Sequence, residues 1–292
     1  LPDGVPVPDD GSLPGAAMAE LADTPLSLYV HVPFCSTRCG YCDFNTYTNS
    51  ELQGSGTADY LRAAHAEIDL AARVLDGRTP PASTVFFGGG TPTLLTGSEL
   101  TGLLAHLRDA FDLTSDAEVT TEANPETVTP ELLDELLTGG FTRLSLGMQS
   151  SNEKVLQVLE RRHTPGRALE VARMAHAAGF SDVSLDLIYG TPGESLDDWR
   201  ASLESALSVD PEHISAYALI VEDGTRLANQ IRHGKLPMTD DDDLADKYLA
   251  AEELLVRAGF EAYEVSNWSK GVEHRARHNM AYWLGHTWWG IG

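Results

Sequence analysis

Residues 29–44 read Tyr-Val-His-Val-Pro-Phe-Cys-Ser-Thr-Arg-Cys-Gly-Tyr-Cys-Asp-Phe and contain every cysteine of the 292-residue chain. Cys35, Cys39 and Cys42 follow C-x3-C-x2-C spacing on one short loop. Three thiolates at this spacing can each hold one iron of a [4Fe–4S] cluster, which leaves the fourth iron without a protein ligand. An iron with an open position can coordinate a small molecule and pass an electron to it.

Zinc, a disulfide framework and plain core packing fit the cysteine loop less well. A structural zinc site needs four closed ligands, and the fourth would have to be His31, Asp43 or a distant histidine. A disulfide framework needs an even number of cysteines and an extracellular setting. Unreactive core cysteines would be scattered over several strands. The spacing and the cysteine count therefore favour the cluster.

The loop resembles that of the radical S-adenosylmethionine (SAM) superfamily. It is most similar to the branch that holds the oxygen-independent coproporphyrinogen oxidases and the HemW-type haem chaperones. Further stretches match that branch in order, over roughly residues 25–292: Gly88–Thr93, Thr121–Glu126, Leu144–Ser150, Arg161 with His163, and Asp186–Gly190. The resemblance implies that SAM chelates the open iron through its amino and carboxylate groups. One electron from the reduced cluster can then cleave the sulfonium to a 5′-deoxyadenosyl radical.

Short β-branched runs alternate with longer amphipathic stretches six times. The predicted strands are 27–32, 84–87, 118–123, 143–148, 183–188 and 213–219, and the predicted helices are 58–76, 98–110, 130–137, 152–160, 166–178 and 196–208. Six βα units predict a parallel sheet with helices outside, either closed or open. The resemblance implies an α/β fold, namely an incomplete (β/α)6 TIM-like barrel. Barrels of this kind carry their reacting groups at the carboxyl ends of the strands.

The remaining segments differ in composition from this alternating region. Residues 1–25 are rich in Pro, Gly and Asp and predict a mobile N-terminal tail, residues 26–220 form the predicted barrel, and residues 221–292 are a linker and the start of a small C-terminal region. That region is expected to hold a helix near 244–258 and a strand near 261–266. It looks cut after Trp289-Gly-Ile-Gly292.

The composition limits the partners. A formal charge of −24 disfavours nucleic acid and anionic membrane surfaces, so a membrane is expected only indirectly, through clients. No apolar run is long enough to cross a bilayer, and no signal peptide is visible. Few cysteines and an oxygen-sensitive cluster indicate the cytoplasm. The run Asp240–Asp243 predicts a solvated helix start, because a helix N-terminus favours negative charge.

The resemblance assigns roles to specific residues. It gives the cluster the ligands Cys35, Cys39 and Cys42. It places beside SAM the residues Tyr29, Tyr41, Gly89, Gly90, Thr91, Glu122, Gln149, Arg161, Asp186 and Ala218.

Each assignment beside SAM has a structural alternative. Tyr29 and Tyr41 could simply pack around the loop. The glycines at 88–90 could form an ordinary strand-to-helix turn. Arg161 could form a buried ion pair with one of the carboxylates, since a buried charge requires a partner.

Two features of the sequence indicate whether it is more similar to the porphyrinogen oxidases or to the HemW-type chaperones. The porphyrinogen oxidases carry a further cysteine where this chain has Phe44, and His278-Asn-Met-Ala-Tyr-Trp283 matches the H-N-x-x-Y-W phrase of HemW-type proteins. His278 could be an axial haem ligand. Four of the five tryptophans crowd this region, at 268, 283, 288 and 289. These rings suit a porphyrin face, but without the resemblance they favour a hydrophobic anchor packed on the barrel.

The resemblance therefore implies a haem chaperone with a [4Fe–4S] cluster, SAM and haem as cofactors and client haemoproteins as partners. A homodimer is compatible with this interpretation. The alternative is an oxygen-independent coproporphyrinogen III oxidase, and a third hypothesis is a cluster protein whose barrel serves only as an interaction scaffold.

Overall fold

The computed structural model describes residues 6, 8–9, 11–21, 24–48, 51, 56–162 and 164–292. His163 of the predicted motif lies outside these residues. The strands are β1 (Leu26–Val32), β2 (Phe34–Cys35), β3 (Tyr47–Thr48), β4 (Ala82–Gly89), β5 (Leu113–Ala123), β6 (Arg143–Gln149), β7 (Asp182–Tyr189), β8 (His213–Ala218), β9 (Glu261–Ala262), β10 (Asn267–Ser269) and β11 (Thr287–Ile291).

The helices come mainly between the strands of the barrel. They are α1 (Gly15–Glu20), α2 (Thr57–Leu75), α3 (Gly97–Phe111), α4 (Pro130–Gly139), α5 (Glu153–Val158), α6 (Arg167–Ala178), α7 (Leu196–Leu207), α8 (Arg226–Arg232), α9 (Asp241–Arg257) and α10 (Arg277–Trp283). All six predicted strands and all six predicted helices are present, with ends shifted by a few residues.

The main sheet has nine strands within the described residues, in the order β11-β1-β4-β5-β6-β7-β8-β10-β9. Every pair from β11 to β8 is parallel, whereas β10 runs antiparallel to both β8 and β9. The β11 and β9 edges do not pair with each other, so the barrel is open. This arrangement confirms the α/β fold class and the incomplete barrel.

The sheet is covered by helices that bury one apolar face each. In α3 the buried leucines Leu100, Leu103, Leu104 and Leu107 recur at the spacing of one helical face. Strand β1 buries Leu26, Leu28, Val30 and Val32 completely. Helices connect the successive strands β1 and β4–β8, which therefore run parallel, so that their carboxyl ends meet at one rim.

The segments outside the predicted barrel also pack on it. Leu21, which follows α1, is buried in the main core. Strand β11 pairs with β1 from Leu26↔Thr287 to Val30↔Ile291. The domain boundaries at 25/26 and 220/221 stay predictions.

The predicted acidic helix start is confirmed. The Asp240 side chain accepts hydrogen bonds from the backbone amides of Asp242 and Asp243 and so caps α9. Among the described helices, none combines the length and the apolar character required to span a membrane.

Residues 272–283, which we call the lumen segment, lie across the amino ends of the central strands. Glu118 of β5 accepts hydrogen bonds from the backbone amides of Arg277 and His278. Arg143, the first residue of β6, donates to the carbonyl oxygens of His274 and Arg275. Arg143 and Glu118 also form a buried ion pair, with 3.1 Å between Nε and Oε2. These contacts hold α10 at the end of the barrel opposite to the cysteine loop.

Candidate cluster and cofactor site

A cavity of about 630 Å³ runs from the cysteine loop into the barrel. Every residue predicted for the site lines it: Tyr29, Cys35, Cys39, Tyr41, Cys42, Gly89, Gly90, Thr91, Glu122, Gln149, Arg161, Asp186, Ala218 and His278. Motifs that lie far apart in the sequence therefore meet at one place, as the parallel strand order requires.

The cysteine loop is held by backbone hydrogen bonds from two other parts of the chain. The amide of Gly40 donates to the carbonyl of Leu159 at 3.0 Å, and the carbonyl of Gly40 accepts from the amide of Leu227 at 2.8 Å. The three cysteines are free thiols and half-buried. Burial raises the pKa of the Cys35 and Cys42 thiols. A bound cation would act in the opposite direction and favour the thiolates.

The donor set fits a cluster better than a single ion. Among the described residues, no three His, Cys, Asp or Glu side chains converge as the ligands of one metal ion. A cluster requires no such convergence, because each thiolate binds a different iron. His31 is also a poor fourth zinc ligand: its Nε2 donates to the carbonyl of Asn45 at 2.8 Å, and its Nδ1 lies 3.1 Å from the Tyr29 hydroxyl.

The glycine loop after β4 packs directly on the cysteine loop. A Cβ atom at Gly90 would lie 2.4 Å from the carbonyl oxygen of Phe34 and 3.0 Å from the Cys35 sulfur. The amide of Thr91 donates to the same Phe34 carbonyl at 2.7 Å. Gly89 has a φ of +112°, which a residue with a side chain rarely adopts. The glycines are thus required for the contact between two loops, beyond any approach to a ligand.

Two carboxylates line the cavity from β5 and β7, the strands on either side of β6. Glu122 accepts a hydrogen bond from the Gly89 amide at 3.1 Å, and Asp186 accepts one from the Ser145 hydroxyl at 2.9 Å. Burial, reinforced by the nearby charge of Asp186, raises the pKa of Glu122 to about 8. Burial also raises the pKa of Asp186. Near neutral pH, Glu122 therefore carries a proton for much of the time.

Arg161 approaches the cysteine loop rather than a carboxylate. Its Nη1 lies 3.5 Å from the Cys39 sulfur, and its Nη2 donates to the carbonyl of Gly147 at 3.3 Å. No ion pair joins Arg161 to Glu122 or Asp186 in the described structure. The Nε of Arg161 is buried and has no hydrogen-bond partner among the described residues. A buried donor without a partner is costly, which points to an acceptor supplied by a ligand.

The other predicted residues have roles in packing as well as on the cavity wall. Gln149 ends β6 with a φ of +65°, an uncommon conformation for a residue with a side chain and one that is often found at functional sites. Tyr41 packs against a small apolar cluster that includes Val155 and Leu159. Tyr29 stacks on Phe86, with 6.1 Å between ring centroids. Both tyrosines therefore pack against neighbouring side chains and also line the cavity.

His278 reaches the cavity from the opposite end of the barrel. It is only 2% exposed. Its Nδ1 lies 2.8 Å from the Thr84 hydroxyl and its Nε2 lies 3.0 Å from the Tyr282 hydroxyl. Burial lowers the pKa of His278 to about 4, so that the ring is neutral at pH 7. Axial ligation of haem by His278 requires one of these two hydrogen bonds to break.

The clustered tryptophans do not form one surface. Trp268 is fully buried and donates through Nε1 to Glu252 at 2.7 Å. Trp283 and Trp288 are 58% and 52% exposed. The exposed part of this region is therefore formed by the end of α10 and by β11.

Several residues of the cavity wall were not predicted from the sequence. Examples are Phe86, Arg143, Ser145, Ser184, Tyr217, Asn267 and Tyr282. Ser145 and Ser184 are polar residues in otherwise apolar strands, and this was the available signal. Phe86 looks like an ordinary packing residue in the sequence, whereas Tyr282 belongs to the H-N-x-x-Y-W phrase but had no role assigned to it.

Comparisons with known proteins agree with this geometry. The family model described as Radical SAM superfamily matches residues 29–206. The protein named haem chaperone HemW in Mycobacterium tuberculosis is 52% identical over 281 residues, which are 96% of this chain and 70% of that protein. The protein of the same name in Escherichia coli K12 is 37% identical, over 92% of this chain and 68% of that protein.

Solved structures give the same fold. Coproporphyrinogen III oxidase (HemN) from Escherichia coli, described as a radical SAM enzyme, superposes with a TM-score of 0.81 at 25% identity. The superposition covers 95% of this chain and 66% of that one. Archaeal Elp3 from Methanocaldococcus infernus has a TM-score of 0.54 at 17% identity and supports the fold alone. The chain thus spans about two thirds of the length of these relatives.

Proposed function

The chain belongs to the radical SAM superfamily and, within it, to the HemW family, and on this basis we propose that it is a haem chaperone that passes haem to client haemoproteins. The observation that carries the proposal is the 52% identity to the HemW protein of Mycobacterium tuberculosis along 96% of this chain. Identity at this level extends well beyond the residues of the cavity.

In this proposal Cys35, Cys39 and Cys42 each bind one iron of a [4Fe–4S] cluster. When bound, such a cluster supplies a single electron and an open iron to which SAM can coordinate. Support comes from three free thiols on one cavity wall and from the lack of a single-ion site among the described residues. Arg161 lies against the Cys39 sulfur and adds a positive charge beside the thiolates, which stabilises them.

SAM would occupy the cavity next to the cysteine loop. The proposed contacts are Tyr29, Tyr41, Gly89, Gly90, Thr91, Glu122, Gln149, Arg161, Asp186 and Ala218. The unpartnered Nε of Arg161 would donate to the carboxylate of SAM, because a guanidinium favours a carboxylate acceptor. Glu122 on β5 and Asp186 on β7 offer acceptors for ribose hydroxyls.

Haem is the third proposed ligand. His278 remains the proposed axial ligand, and its ligation would require the lumen segment to move so that the bond to Thr84 or to Tyr282 opens. The exposed rings of Trp283 and Trp288 are apolar surface suited to a porphyrin. The net charge of −24 supports clients that are proteins rather than nucleic acids.

A second candidate is a coproporphyrinogen III oxidase. The TM-score of 0.81 to HemN from Escherichia coli favours it. Phe44 disfavours the oxidase, because the resemblance gives the oxidases a cysteine at this position. Both candidate functions use the same cysteine loop, so a measurement of activity is needed to distinguish the chaperone from the oxidase.

Two measurements on one anaerobic preparation separate them. The reconstituted protein is titrated with haem, is then mixed with apomyoglobin as the acceptor, and is separately incubated with SAM and coproporphyrinogen III. The proposal predicts a Soret shift, transfer of haem to apomyoglobin, and no protoporphyrinogen. Formation of protoporphyrinogen without haem transfer would establish the oxidase instead.

The role of His278 is tested in the same titration. His278→Ala should weaken the Soret shift, whereas His286→Ala, a change at a partly exposed histidine two residues beyond Leu284, should not. Equal shifts in wild type and His278→Ala would remove His278 as the ligand while leaving the chaperone proposal in place.

A further inference from the structure

A second cavity, of about 530 Å³, adjoins the cluster and cofactor site. Thr37, Arg161 and Arg162 line both cavities, so the two meet at these residues. We call the second one the arginine cavity, because four guanidinium groups line it, those of Arg38, Arg161, Arg162 and Arg226. In the described part of the chain, Glu160 is the one acidic residue of its wall. A chain with 44 acidic and 20 basic residues therefore gathers four arginines around one small space.

The carboxylates near the arginine cavity do not neutralise these four charges. Glu160 Oε2 accepts from Arg226 Nη1 at 2.9 Å, and Glu160 Oε1 accepts from the Gln230 amide at 3.0 Å. Both oxygens of Glu160 are therefore engaged. Glu51 approaches Arg38, but 3.7 Å separates its Oε1 from Arg38 Nη1, which is too long for a hydrogen bond.

Several guanidinium donors of the wall lack an acceptor. The Nε atoms of Arg38 and Arg161 are buried and have no hydrogen-bond partner among the described residues. The side chain of Arg162 forms neither an ion pair nor a hydrogen bond with any residue that the structure describes. A buried donor without an acceptor is costly, and like charges held close together repel each other. An anion in the arginine cavity would offset both effects.

The arginines could instead serve only to attach neighbouring segments to each other. Arg226 does this, because its pair with Glu160 joins α8 to the residues that follow α5. Arg161 does it too, through the carbonyl of Gly147. Arg38 and Arg162 make no comparable bond, so attachment accounts for two of the four arginines.

The arrangement of the donors favours phosphate. Guanidinium groups bind both carboxylate and phosphate oxygens through paired N–H donors. A carboxylate presents two oxygens in one plane, whereas a phosphate presents oxygens in tetrahedral directions. The four arginines come from three separate parts of the chain, namely the cysteine loop, the turn after α5, and α8, and so approach from several sides. Ser36 and Thr37 line the same cavity and add hydroxyl donors.

We propose that the arginine cavity binds a small molecule that carries a diphosphate group, with Arg38, Arg162 and Arg226 as its main contacts. Four guanidinium groups less the one carboxylate of Glu160 leave three positive charges, which suit a group with several negative charges. The volume of the cavity lies within the range of small-molecule sites. The bound group would contact residues 36–38, which lie between Cys35 and Cys39. This site is separate from the one proposed for SAM and does not depend on the proposed function.

The test is isothermal titration calorimetry of the anaerobically reconstituted protein with sodium pyrophosphate, with SAM present in excess. Arg38→Gln and Arg226→Gln are the test variants, because these two arginines line the arginine cavity and not the SAM cavity. Arg232→Gln is the matched control: Arg232 also lies on α8 and also forms an exposed ion pair, with Asp223, but does not line either cavity. Iron content and thermal unfolding of each variant separate loss of the site from loss of the cluster or the fold.

Pyrophosphate should bind wild type and Arg232→Gln with equal affinity. The affinity should fall by about tenfold or more in Arg38→Gln and in Arg226→Gln, because hydrogen bonds between charged groups are strong. The absence of binding to wild type would overturn the proposal, as would equal affinities in Arg226→Gln and Arg232→Gln. Citrate serves as a carboxylate probe, and binding of citrate as tight as that of pyrophosphate would overturn the choice of phosphate.

ADP distinguishes two sources of the diphosphate group. Tighter binding of ADP than of pyrophosphate, weakened again in Arg226→Gln, would assign a nucleotide as the ligand, whereas equal affinities would assign the diphosphate group alone. The affinity for SAM, measured without pyrophosphate, should be the same in Arg226→Gln and wild type. A wild-type protein that binds pyrophosphate but not SAM would support this inference and contradict the proposed SAM site.

Discussion

The guanidinium of Arg161 contacts the sulfur of Cys39, with 3.5 Å between Nη1 and Sγ, although the two residues are 122 positions apart. Arg161 also donates to the carbonyl of Gly147 in β6. One side chain thus joins the cysteine loop to a strand of the barrel. Its Nε is buried without a hydrogen-bond partner among the described residues, and Arg161 lines the cavity proposed for SAM.

Arg161→Lys tests this arrangement because it keeps the charge and removes the planar group of donors. We expect the affinity of the reconstituted protein for SAM to fall by about tenfold or more, since a hydrogen bond to a charged group contributes about 1.5–3 kcal/mol. Isothermal titration calorimetry under anaerobic conditions measures this affinity for SAM. Arg162→Lys is the control on the neighbouring residue, and equal affinities in the two variants would show that Arg161 makes no special contact.

Gly90→Ala tests the packing of the glycine loop on the cysteine loop. The added Cβ would meet the Phe34 carbonyl at 2.4 Å and the Cys35 sulfur at 3.0 Å, so the two loops must separate. We expect lower iron and sulfide content after reconstitution and a lower melting temperature. Gly102→Ala is the matched control, because a Cβ there meets nothing within 4 Å and alanine is favoured in α3. A full iron content in Gly90→Ala would contradict the packing account.

The repeated pattern of the sequence predicted the barrel and the place of the site. Buried strands such as β1 and amphipathic helices such as α3 each carry a local periodic signal, and parallel order brings their carboxyl ends together. Glu122, Arg161 and Asp186 could therefore be placed at one rim from the order of the strands and the motifs that follow them.

Contacts over long sequence distances were not predictable in this way. Strand β11 is written Thr-Trp-Trp-Gly-Ile, which lacks a clear alternating pattern, and glycine weakens a strand signal. Its pairing with β1 follows from tertiary structure alone. His278 forms a hydrogen bond with Thr84, which lies 194 residues earlier in the chain. No local pattern of the sequence indicates which end of the barrel His278 enters.

Glu122 should make the stability of the ligand-free protein depend on pH. Its pKa is raised from an ordinary value of 4.5 to about 8, so between these values the folded state binds more protons than the unfolded chain. The free energy of unfolding should therefore fall as pH rises through this window. Urea denaturation at several pH values measures it, and Glu122→Gln should flatten the slope. The exposed Glu204 of α7 provides the control variant, Glu204→Gln, and an equal slope in wild type and Glu122→Gln would refute the assignment.

Lys247 should be a major contributor to the attachment of α9. Its side chain is fully buried, donates to the carbonyl of Glu194 at 2.9 Å and pairs with Asp243. Lys247→Ala leaves these acceptors without their partner, and we expect a loss of about 3 kcal/mol or more in the free energy of unfolding.

The same helix offers the control for Lys247. Arg257 and Glu253 form an exposed pair, with 67% and 59% of their side chains exposed, so Arg257→Ala should cost less than about 1 kcal/mol. Urea denaturation compares the two variants directly. Similar losses in both would show that the burial of Lys247 gives it no special role.

The most direct test of the account is the metal content and the EPR spectrum of anaerobically reconstituted protein, with and without SAM. We predict about four irons and four sulfides per chain, the count of a [4Fe–4S] cluster, and a signal of the reduced protein that changes when SAM is added. Cys39→Ser should lose that signal. One zinc per chain without sulfide, or a cluster signal that does not change when SAM is added, would contradict the claim that three cysteines leave one iron open for SAM.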